Sequence, residues 1–155
     1  MSESLRIADQ LKRSMRGVAW HGPSVLEILE DVTPEEALRR PVPQAHSIAE
    51  LVLHITAWIQ EVTRALDSRV ARLTTEQDWP AVPQPFDWPS TLERLREASK
   101  HLGDRVKSVR DADLDTMVGG HDQDYPTYAL LHGVVQHNIY HAGQLSLLKK
   151  ALRGS

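Results

Sequence analysis

Ile48, Leu51, Val52, Ile55, Ile59, Val62 and Leu66 recur at steps of three and four, so they line one face of about five helical turns. Trp58 stands on the shoulder of this stripe. Immediately before it, Ser47-Ile48-Ala49-Glu50 has the form of a capping box, in which Ser and Glu satisfy backbone N–H groups at a helix start. A helix this long and apolar on one side holds only if other elements cover that side.

Three further segments offer that cover. Leu5, Ala8, Leu11 and Met15 place an amphipathic helix over residues 3–15. Ser90-Thr91-Leu92-Glu93 reads as a second capping box, followed by Leu92, Leu95, Leu102, Val106 and Val109 on one face. From Thr127 to Leu152 a last helix carries Leu130, Leu131, Val134, Val135, Leu145, Leu148 and Leu152, with Lys149, Lys150 and Arg153 where cations suit the helix dipole. No segment reads as a convincing strand. The predicted fold is therefore all-α, a four-helix bundle formed as one domain over residues 1–155.

The connections are long for an up-and-down bundle, which predicts at least one crossover. Gly17 and Gly22-Pro23 break the chain after the first helix, and Pro23 opens a short piece with Val25, Leu26, Ile28 and Leu29. Thr33-Pro34-Glu35-Glu36 starts a brief helical turn. Residues 74–89 hold four of the nine prolines, two tryptophans and the only phenylalanine, an ordered connection packed by aromatics. Residues 111–126, with Gly119-Gly120, form another connection.

Eight histidines and no cysteine remove several chemistries at once. Disulfides, cysteine-based zinc sites, iron–sulfur clusters and thiolate nucleophiles all need a sulfur that the chain lacks. A net charge of −3 gives no general reason to bind nucleic acid. No apolar run approaches the roughly 18 residues of a membrane span. Met1 to Arg16 mixes acids and bases and does not resemble a signal segment, so the expected compartment is the cytosol.

His137 and His141 lie one turn apart on the last helix. About a third of one such pair is expected by chance among eight histidines, so the spacing alone is weak. Their position is stronger: the series Leu130, Val134, His137, His141, Leu145, Leu148 puts both rings in the apolar seam. An unsatisfied buried polar group there costs about 1–3 kcal/mol. His54, three after Leu51 and four before Trp58, sits at the edge of the long stripe. Two histidines from one helix and one from a facing helix can form a three-nitrogen tripod with open positions. Each of the three has the alternative of a hydrogen-bonded core or surface residue.

An HExxH protease needs Glu after its first histidine, and Asn138 stands there. A two-His, one-carboxylate iron site would need Glu50 or Glu61; Glu50 is expected to close the capping box and Glu61 to lie on the solvated side. Gln144, three after His141, either faces the same cavity or stands as an exposed amide, and Trp58 either walls the pocket or packs in the core. Trp20 and His21, at the break after the first helix, are candidates for a pocket mouth, with a plain surface position the alternative for His21. Tyr140 points away from its neighbouring ligand toward a helix or subunit interface, and His46, His101, His121 and His132 read as solvated or capping residues.

These blocks resemble the DinB and YfiT-like family of metal-dependent enzymes. The likeness rests on His54 within Ser47 to Ile55, on His137 and His141, on Tyr140-His141-Ala142-Gly143-Gln144, and on Ala19-Trp20-His21-Gly22-Pro23. It implies a four-helix bundle, often a homodimer, with a divalent ion on the three histidines. Zinc, nickel, iron, cobalt and manganese all suit imidazole. The resemblance further implies a small-molecule substrate and S-transferase or isomerase chemistry with a low-molecular-weight thiol such as bacillithiol or mycothiol. Two alternatives stand beside it: a hydrolase that makes hydroxide at the same ion, and a non-catalytic binding or interaction bundle with a structural or vestigial metal.

Overall fold

The structure is a computed structural model that describes residues 1–154. Four long helices form the bundle: α1 (Glu3–Met15), α4 (Ile48–Ser68), α6 (Trp88–Lys107) and α7 (Thr127–Arg153). Three short ones, α2 (Val25–Leu29), α3 (Pro34–Leu38) and α5 (Thr75–Asp78), lie in the connections. All seven residues of the α4 stripe are buried, and they join Ile7, Leu11, Leu95, Leu102, Leu131 and Leu145 in one continuous core. Each such side chain contributes about 1.5–3 kcal/mol by leaving water, before the entropy of ordering it is set against the gain.

α1 packs against α6 and α7, and α4 packs against the same two, which puts α1 and α4 at opposite corners. Both the α1–α4 and the α6–α7 connections therefore cross a diagonal, which is the expected crossover occurring twice. This arrangement makes α4 and α7 neighbours, and so brings His54 beside the histidines of α7. Among the described residues no helix is long and apolar enough to cross a membrane.

The capping box at Ser47 forms as expected: Glu50 N–H donates to Ser47 Oγ at 3.2 Å, and Ser47 N–H donates to Glu50 Oε2 at 2.7 Å. The start of α6 differs from the expectation. Asp87, not Ser90, is the cap, accepting from Ser90 N–H at 3.0 Å, because Pro89 fits the first turn, where no helical N–H is needed. The connection after α6 also differs, since it contains a two-stranded antiparallel hairpin, β1 (Met117–Gly119) with β2 (Asp124–Pro126). Three-residue strands are too short to leave an alternating pattern in sequence. At the turn, a Cβ on Gly120 would fall 2.3 Å from Gln123 O and 2.5 Å from the Tyr125 ring, so only glycine fits.

Candidate metal centre

His54 comes from the second turn of α4, and His137 and His141 from the middle of α7. One ring nitrogen from each lies within 4.8 Å of the other two. His137 Nε2 is 3.0 Å from His54 Nε2 and 3.1 Å from His141 Nε2. His54 and His141 are buried, and His137 is half-buried.

The outer nitrogens fix what the inner ones can do. His54 Nδ1 donates to the Asp78 backbone carbonyl at 2.7 Å and lies 3.2 Å from Asp78 Oδ1. His141 Nδ1 donates to Gln144 Oε1 at 2.6 Å. A neutral imidazole carries one proton, so both rings then present a bare lone pair on Nε2. Burial, reinforced by the neighbouring His141 and His54, pushes the His137 pKa down to about 3. Burial also lowers that of His141, against the opposing hydrogen bond from Gln144. His137 is therefore neutral near pH 7 and can direct one proton at only one of its two neighbours. At least one of the two short contacts is therefore left with no proton between its nitrogens, and a cation among the three nitrogens would remove that conflict.

Two of the three nitrogen–nitrogen distances are close to those of a metal tripod. Nitrogens bound tetrahedrally at about 2.0–2.1 Å stand about 3.3 Å apart, against the 3.0 and 3.1 Å found here. Tying the second ring nitrogen of each ligand to a carbonyl or amide is also how proteins orient metal-binding histidines. His137 is the exception, with Nδ1 buried and unpartnered among the described residues.

Two residues of this site were not singled out in the sequence, Asp78 and Trp79. The four-residue helix α5 carries Asp78 against α4, where its Oδ1 accepts from Trp58 Nε1 at 2.6 Å. Trp79 then lies flat between two imidazoles. Its ring stacks on His54 with centroids 3.9 Å apart and on His46 at 3.6 Å. His46 is exposed, yet it closes this stack instead of standing free in solvent. The available signal was tryptophan in a proline-rich connection, which marked aromatic packing without saying against what.

The other sequence candidates divide. Trp58 lies beside His137, with ring centroids 6.1 Å apart, and lines a cavity of about 310 Å³ next to the cluster. Gln144 is bonded to His141. Trp20 and His21 are not brought to the histidines; both are exposed and border a separate depression with Arg13 and Ile139. Glu50 closes its capping box. Glu61 is buried rather than solvated, because it accepts from Arg72 N–H at 2.7 Å and from Arg64 Nε at 2.9 Å, and it takes no part in the cluster. Tyr140 is exposed, with its ring 5.1 Å from that of His141. His101 is exposed. His121, also exposed, donates from Nε2 to Leu73 O at 2.9 Å. His132 packs on Tyr128 with Nε2 buried and unpartnered among the described residues, a correction to its expected solvated or capping position.

Residues 19–145 match the DinB superfamily, a span that holds all three histidines, two of the four long helices and most of α7. The chain belongs to the DinB superfamily. No curated protein and no solved structure matches it. For this DinB chain the family match, the helical fold and the three-histidine cluster agree, and together they are compatible with a divalent metal site.

Proposed function

We propose that His54, His137 and His141 hold a divalent ion through their Nε2 atoms, and that the protein is a metal-dependent transferase using a low-molecular-weight thiol on a small-molecule substrate. The observation that carries the metal is the convergence of three Nε2 atoms, two of them left as acceptors by the bonds to Asp78 and Gln144. When bound to three neutral imidazoles, the ion supplies undiminished positive charge, which favours the ionised form of a thiol at neutral pH.

The chain's own contribution is orientation and shielding. Asp78 and Gln144 hold two rings by their outer nitrogens, while Trp79 covers one face of His54. The thiol part of the reading rests on the DinB resemblance; since the chain has no cysteine, a sulfur nucleophile would have to arrive from outside it. A cytosolic homodimer belongs to the same reading. Exposed Tyr140 and Leu147, seven residues apart on α7, offer apolar surface for a second copy, and sedimentation of the purified protein tests it.

The deciding experiment is elemental analysis of protein purified without added metal or a histidine tag, paired with turnover of an electrophile with and without bacillithiol or mycothiol. One divalent ion per chain is expected, lost in His137→Ala, together with turnover that requires the thiol. Thiol-independent turnover would reassign the reaction to hydrolysis. No stoichiometric metal, with His137→Ala unchanged in melting temperature, would remove both enzyme readings.

A further inference from the structure

The cavity beside His137 is a distinct space with a built wall. α4 contributes Trp58 and Val62, and α7 contributes Leu130, Val134 and His137. Ala71 and the hairpin close the remaining side, and hydrogen bonds hold that side in place. Ala71 N–H donates to Gly119 O at 2.9 Å, Arg72 Nε donates to Gly120 O at 2.6 Å, and the buried Glu61 accepts the Arg72 N–H. None of the cavity-lining residues is an aspartate, glutamate, lysine or arginine, and the surface is almost entirely carbon.

A glycine in α7 leaves part of this space open. Gly133 lies in the interior of the helix, where glycine is less stable than alanine. A Cβ there would meet nothing within 4 Å, so no neighbour forbids a side chain. Gly133 lines the cavity, with Ala129 one turn before it also on the wall. Larger residues at these two positions would fill the cavity. Its volume of about 310 Å³ is near the lower end of ligand pockets and about twice the roughly 150 Å³ apolar cavity that admits benzene.

We propose that this cavity receives an uncharged hydrophobic group of the substrate, no larger than a substituted benzene ring, with the reacting end directed past His137 to the three histidines. The inference rests on the metal reading for its reacting end. The cavity itself is defined independently of any ion, by its carbon lining, the absence of fixed charge and the open volume at Gly133.

Fluorine NMR titration of the full-length protein tests it, with 4-fluorotoluene and 4-fluorobenzylammonium as probes and zinc content measured on the same samples. 4-Fluorotoluene is expected to bind saturably, at least tenfold tighter than the ammonium. Gly133→Leu and Ala129→Leu are each expected to weaken it tenfold or more while zinc stoichiometry stays at the wild-type value. Retained zinc shows that a variant has kept the fold. Equal binding of the two probes, or undiminished 4-fluorotoluene binding in both leucine variants, overturns the proposal. Zinc-loaded protein with no saturable 4-fluorotoluene binding overturns it while leaving the metal reading intact. Variant-sensitive 4-fluorotoluene binding in protein that takes up no zinc supports the cavity assignment and overturns the metal reading alone.

Discussion

Gln144 and Gly133 lie on the same helix and can be tested separately. Gln144 touches the candidate ion site only through His141, whose Nδ1 it engages at 2.6 Å. Loss of such an orienting partner typically lowers metal affinity by about 10–100-fold. Gln144→Ala should fall in that range when titrated against a chromophoric chelator, with the metal-free protein melting close to wild type. Equal affinity in the two proteins would mean that the ring is fixed by packing alone. Gly133 predicts the opposite kind of effect. Since a Cβ there meets nothing within 4 Å, Gly133→Ala should stabilise the fold by about 0.5–1 kcal/mol in denaturant titrations. A loss of stability would show that the helix needs glycine at this point. Both residues were visible in sequence to different degrees. Gln144 stands three after a candidate ligand, while Gly133 inside a long apolar pattern is a propensity conflict whose purpose shows only with the cavity beside it.

At the level of elements, legibility follows length. α1, α4 and α7 were readable because a period near 3.6 persists over many turns, and the histidine cluster was readable because His137 and His141 interrupt such an apolar seam. α5 was not, since four residues carry no period and its importance lies in a contact between Asp78 and His54 across 24 positions of sequence. The same limit hid the hairpin and shifted the cap of α6 to Asp87, where two Ser/Thr/Asp candidates lay within three residues. The cap of α4 was unambiguous and allows a test. Ser47 is buried, its Oγ accepts Glu50 N–H, and Glu50 in turn accepts Ser47 N–H and pairs with Arg40. Ser47→Ala should cost about 1 kcal/mol of unfolding free energy. Because His54 lies two turns further along, metal stoichiometry should be unchanged; a variant with intact stability would show that Glu50 alone suffices to hold the helix start.

Across the whole molecule, the long diagonal connection from α1 to α4 has to be held against the bundle, and the end of α7 does this. Arg153 donates to Glu36 Oε1 at 2.8 Å and to Asp31 Oδ2 at 2.7 Å, and Lys149 pairs with Asp31 and donates to Ile28 O at 2.8 Å. Hydrogen bonds from Lys149 and Arg153 pull the Asp31 pKa down to about 2, and those from Arg153 and the Thr33 backbone do the same for Glu36. Their ordinary values are 3.8 and 4.5. Carboxyls with depressed folded-state pKa values stabilise the fold above their unfolded values and lose that contribution as pH falls toward the folded ones. These groups are solvent-screened, so the effect is modest and weakens with salt. The difference in melting temperature between wild type and Arg153→Ala should therefore be largest near pH 6, shrink between about pH 4.5 and 2, and shrink again in 1 M salt. Protonation of the buried histidines in the same acid range destabilises both proteins alike and cancels in the difference. A gap that persists at pH 2 would mean that Arg153 holds the connection through its 2.8 Å bond to the Asp31 carbonyl instead of through charge.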